Sequence, residues 1–157
     1  QFLNTITHIP AGRSLTVIES LLTELSRLAG LKIENSWQLI QQAAQSSTGD
    51  GMFCDLSFFA SAMGCNGRIS GITTENLTVG NLFMAAFEFM ADSYWTCSQR
   101  MSPQPTWNQL VISGGLVQSF APLRRKIETR FSLPIRDVAE QEETLMGLIP
   151  TAVVSSL

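Results

Sequence analysis

Residues 109–138 constrain the fold of this chain more than any other stretch. Gln109 to Ser113 reads as a buried strand that runs into Gly114-Gly115. A helical pattern follows from Ser119 to Phe131, with Leu123, Ile127 and Phe131 on one face and Arg124, Arg125, Glu128 and Arg130 on the other. Leu133 to Val138 then reads as a second strand. Two strands joined by a helix must lie parallel, because the crossover returns the chain to the same end of the sheet. Ligands in such sheets bind beyond the carboxyl ends of the strands. The glycine pair falls at such an end, where a missing Cβ lets main chain approach a nucleotide.

The rest of the chain fits around this unit. Leu3 to Ile9 alternates as a strand should, and Pro10-Ala11-Gly12 breaks it. Ser14 is placed to cap a helix carrying Leu15, Ile18, Leu22, Leu25 and Ala29 at helical spacing, and Gly30 ends that helix. A short helix is expected over Ser36–Gln45, with Trp37, Ile40 and Ala44 on one side. Met52 to Phe59 reads as a strand, and residues 60–74 as a loop or a short β excursion. Thr78 is placed to cap the longest helix, Val79 to Arg100, which Ser102-Pro103-Gln104-Pro105 stops. A last helix is expected from Glu142 to about Val154, with Pro150 as a kink or early stop.

The chain has 157 residues, enough for one domain with a core. Only 15% are charged, against about 25% in an average domain. A lobe that packs on something else fits that shortage, as does a well-buried α/β domain. The net charge of −3 argues against a nucleic-acid binder. Cys54, Cys65 and Cys97 are an odd number with no CxxC pair, which disfavours a disulfide framework and a zinc site. No signal peptide or membrane span is legible, so a piece of a larger cytoplasmic protein is expected. The single histidine, His8, reads as structural because no nucleophile motif accompanies it. The carboxylates lack metal-ligand spacing. Ala11-Gly12-Arg13-Ser14 is a second glycine turn entering a helix, able to present N–H groups to an anion or to serve as a plain connection.

Gly67-Arg68-Ile69-Ser70-Gly71-Ile72 and Asn81-Leu82-Phe83-Met84-Ala85-Ala86-Phe87-Glu88 are separated by the eight residues Thr73 to Gly80. A glycine-spaced loop here feeds a helix at fixed distance, with small residues beside it. This arrangement resembles the second signature of the FGGY carbohydrate kinases. Ser113-Gly114-Gly115 comes where that family has its adenosine-binding glycine pair. Leu123-Arg124-Arg125, the run Phe131 to Ile135, and Thr7 to Leu15 also resemble family segments. The likeness is greatest to the sedoheptulokinase-like branch.

The resemblance covers nearly the whole chain but only the C-terminal half of such a kinase. It implies an α/β fold, an actin-like, ribonuclease H-like lobe whose mixed sheet is flanked by helices. ATP and a sugar would lie in the cleft against an N-terminal lobe, which supplies the catalytic aspartate and most sugar contacts and, mainly, holds Mg2+. The implied activity is transfer of the ATP γ-phosphoryl to a hydroxyl of a sugar such as sedoheptulose or another ketose. By the resemblance, Gly114 and Gly115 approach the adenosine and α-phosphate, and Gly12 matches a glycine near the phosphates. Thr16 and Ser119 fall where some members place amides near the nucleotide. No catalytic or metal-binding residue carries over. Met63-Gly64-Cys65-Asn66-Gly67 replaces the usual Gly-Glu-Arg; Met84, Phe89 and Gly147-Leu148-Ile149 also depart from the family pattern. A non-catalytic α/β interaction or regulatory module is the competing expectation, favoured by these departures and by the low charge.

Overall fold

The computed structural model describes residues 5–103 and 107–137. In order they form α1 (Gly12–Leu28), α2 (Ser36–Gln45), β1 (Phe53–Asp55), β2 (Arg68–Ser70), α3 (Val79–Met101), β3 (Leu110–Ile112), α4 (Gly115–Ser119), α5 (Ala121–Phe131) and β4 (Ile135–Asp137). The fold thus mixes helices and strands. The helix expected from Glu142, Pro150 within it, and Gly147-Leu148-Ile149 lie outside the described residues.

The core forms around α3, whose Phe83, Phe87 and Met90 are fully buried. This helix packs against α2, α5 and β1. Thr78 caps it as the sequence predicts, its hydroxyl accepting from the Asn81 N–H at 3.2 Å. The aromatic rings of Trp37, Phe83, Phe87 and Phe120 form a chain of edge and tilted contacts linking α2, α3 and the start of α5. On the surface, Lys126 pairs with Glu88 and Arg130 with Asp92, joining α5 to α3. Gly80 allows α3 to cross α2 closely, because a Cβ there would collide with Ser47 Oγ and the Ala43 carbonyl.

β3 and β4 pair in parallel, Leu110 opposite Ile135 and Ile112 opposite Asp137, as the strand–helix–strand pattern requires. Pro122 fits only the first turn of a helix, so the helix expected over Ser119–Phe131 begins at Ala121 as α5, and a separate short helix, α4, precedes it. The single mixed sheet is not formed by the described residues. Their named strands make two separate pairs, β1–β2 antiparallel and β3–β4 parallel.

Three other expectations are corrected. Residues 5–9 are not a strand, and His8 adopts φ 60°, which no extended strand accommodates. Helix α1 starts at Gly12 with Ala11 as its N-cap residue. Ser14 is already inside the helix, and its buried hydroxyl donates to the Leu56 carbonyl at 2.7 Å. The Met52–Phe59 strand shrinks to three residues because Asp55 Oδ1 accepts from the Ser57 N–H, turning the chain out of the sheet. The β excursion within residues 60–74 is β2, and Gly30, at φ 72°, ends α1 with Leu31 N–H bonded to Ser26 O. No helix among the described residues is long and apolar enough to cross a membrane.

Candidate functional site

The glycine-spaced segment is a tightly built corner. Gly67 lies against the Phe58 ring and the Asp55 carbonyl, with no room for a Cβ. Gly71, at φ 71°, lies against the Gly51 carbonyl with the same result. Two asparagines hold the loop that follows. Asn76 accepts from the Thr73 N–H at 2.8 Å and donates to the Gly71 carbonyl at 2.8 Å. Asn81 accepts from the Gly49 N–H at 3.1 Å and donates to the Asn76 carbonyl at 3.0 Å. The polar position that opens the second half of the motif therefore ties two loops to the first turn of α3. Ala85 and Ala86 are buried beyond it, where small side chains let neighbours approach. Each of these residues acts by packing or bonding within the fold.

The Gly114-Gly115 turn is built differently. It lies at the carboxyl end of β3, and Gly114 has φ 100° and ψ 143°, a conformation that L side chains avoid. Both glycines are exposed, and a Cβ on either would meet nothing within 4 Å. Packing therefore does not require Gly115. What the pair offers is bare main chain facing open space.

The expected site residues are partly brought together. Gly12 packs beside α4, with a Cβ there 3.9 Å from Leu116 Cδ2. The first turn of α1 and α4 are thus neighbours. Thr16 is exposed on α1, its hydroxyl donating to the Gly12 carbonyl at 3.1 Å. Ser119 is exposed at the end of α4, and its carbonyl accepts from Gln41 Nε2 at 2.6 Å. That bond fixes the end of α4 to α2.

Two cavities flank this region. One of about 100 Å3 lies at the start of α1, lined by His8, Ala11, Arg13 and Phe59 among others. The Arg13 guanidinium stacks 3.8 Å over the Phe59 ring. His8 is exposed and its Nδ1 is 2.9 Å from Thr7 Oγ1. Arg13 adjoins the turn that the sequence marks with Gly12, but only the fold reveals its aromatic platform. The second cavity, about 600 Å3, runs along β3 from Leu110 to Ser113 and is otherwise mostly apolar, with Ile9, Val117 and Phe131 in its walls. Tyr94 also lines it, and burial pushes that phenol's pKa up.

Among the described residues, no three His, Cys, Asp or Glu side chains come together to hold a metal ion. The donor set around the glycine turns is main-chain N–H, hydroxyl and one guanidinium, which suits phosphate oxygens and not a divalent cation. Neither Gly114 nor Gly115 lines either cavity, so the turn forms one open wall and not an enclosed pocket. No protein-family model matches the chain, and no curated protein matches it.

Proposed function

We propose that this chain is the nucleotide-binding lobe of a two-lobe carbohydrate kinase of actin-like, ribonuclease H-like fold. The reading rests on one observation above the others. The motif at residues 67–88 carries glycines at 67, 71 and 80 that the fold demands, and it is followed in the chain by an exposed glycine pair that packing does not demand. A motif kept for folding and a turn open for a ligand then occur in the order that the FGGY pattern has.

In this reading ATP lies against Gly114-Gly115, where bare main chain admits the adenosine and α-phosphate. Gly12, beside α4, borders the phosphates, and the hydroxyls of Thr16 and Ser119 stand where some family members use amides. Phosphoryl transfer depends on positioning and charge stabilisation, not on covalent chemistry by the protein. This lobe positions the nucleotide. The base that deprotonates the sugar hydroxyl and most of the Mg2+ coordination belong to a companion lobe, so residues 1–157 alone carry no kinase activity. A cytoplasmic location goes with such an enzyme, and a ketose such as sedoheptulose is the proposed class of acceptor.

The test is an amide NMR titration of the chain with ATP and ADP. Shifts at Gly12 and at Gly114 to Ser119 support the reading. Unchanged signals at saturating nucleotide, with a companion lobe also supplied, refute it and leave a non-catalytic interaction module.

A further inference from the structure

Helix α1 is buried in the fold through its first half. Its buried residues are Ser14, Leu15 and Ile18. The second half carries a stripe of leucines into solvent: Leu21 is 64%, Leu25 78% and Leu28 77% exposed. Leu21, Leu25 and Leu28 follow one another at spacings of four and three, the seam of a paired helix. Val17 and Leu22 widen the stripe on either side. Left in water, such a face is costly, and a contiguous apolar patch of this size marks an interaction surface.

We propose that this stripe is a self-association surface, on which α1 of one copy pairs with α1 of a second copy. The exposed parts of Val17, Leu21, Leu22, Leu25 and Leu28 add up to roughly 500 Å2 per copy, so a pair buries at most about 1,000 Å2 of apolar surface. That reaches the lower bound of area for a specific interface. The charges on α1 do not oppose this partner. Arg13 and Arg27 balance Glu19 and Glu24, so two copies approach without net repulsion. A lipid surface is disfavoured for the same reason, because membrane-seeking helices carry an excess of Lys and Arg on the polar face. The proposal is independent of the kinase reading.

Sedimentation of the full 157-residue chain between about 1 and 200 µM tests it. The expected result is a reversible monomer–dimer equilibrium, weakened at least about tenfold in the double variant Leu21→Lys/Leu25→Lys. Both side chains are exposed, so far-ultraviolet circular dichroism should be unchanged. Leu39→Lys, at an exposed leucine on α2, is the control and should leave the equilibrium intact. A monomer at 200 µM overturns the proposal, as when a companion lobe is the true occupant. So does a dimer that Leu39→Lys weakens as much as the double variant.

Discussion

Gly71 and Gly51 meet main chain to main chain: a Cβ on Gly71 would collide with the Gly51 carbonyl oxygen, and Gly71 also has φ 71°. Strain and collision act together here, and the neighbour is backbone, which cannot rotate away. Gly71→Ala should therefore destabilise the fold by more than about 3 kcal/mol. Urea denaturation followed by circular dichroism measures this. A loss below about 1 kcal/mol would show that the corner bends freely and that the motif glycine is not there for packing.

Gly115 offers the opposite case. It opens α4, a Cβ would meet nothing within 4 Å, and its φ is not in the left-handed region. Gly115→Ala should leave stability unchanged within about 0.5 kcal/mol. If ATP approaches the turn as proposed, the added methyl group should weaken nucleotide binding at least about tenfold. Calorimetric titration on the stable variant separates the two effects. Undiminished ATP binding by the variant would remove Gly115 from the nucleotide site.

Ser14 ties α1 to the loop after β1 through its bond to the Leu56 carbonyl, with both residues buried. Ser14→Ala removes the donor and leaves that carbonyl unpaired, at a cost of about 1–3 kcal/mol. Ser14→Cys, similar in size with a weak donor, should recover part of it. Equal stability of the alanine variant and the parent would mean that the carbonyl finds another donor.

The same serine shows where sequence reading stops. As a small polar residue just before an apolar run, it has the pattern of an N-cap. Whether its hydroxyl turns to its own helix or to residue 56 depends on a contact 42 positions away, which no local pattern encodes. Thr78 has the same pattern and does cap its helix, since its partner Asn81 is three residues on. The parallel β3–β4 pair was legible for a similar reason: a strand–helix–strand order leaves one topology. The short β1–β2 pair and the lack of a strand over residues 5–9 were not, because Asp55 ends β1 by a side-chain bond and residue 8 departs from extended geometry. At the candidate site, the glycine pair was visible in sequence, but its exposure and the packing of Gly12 against Leu116 of α4 came only with the fold. Arg13 on Phe59 joins residues 46 positions apart and had no local signal.

The cysteines allow a prediction in pH. Cys54 is fully buried, and burial, with the Asp55 charge adding to it, pushes its thiol pKa from 9.0 up to about 12. In the unfolded chain the thiol ionises near pH 9, whereas in the fold it keeps its proton until about pH 12. The folded state therefore binds more protons in that window. Its stability from this group is complete below pH 9 and falls as the pH rises from 9 towards 12, by at most about 1.4 kcal/mol per pH unit. Burial also raises the Cys97 thiol, so both buried cysteines steepen the decline in the same direction. Urea unfolding at pH 8, 9.5 and 10.5 should show midpoints that fall with pH, and a shallower fall in Cys54→Ala. Thiol labelling read by mass spectrometry gives an independent check. At pH 9.5 the native chain should take up one label, at exposed Cys65, and the unfolded chain all three. Rapid labelling of Cys54 in the native chain would contradict its burial, and with it the packing of β1 against α3.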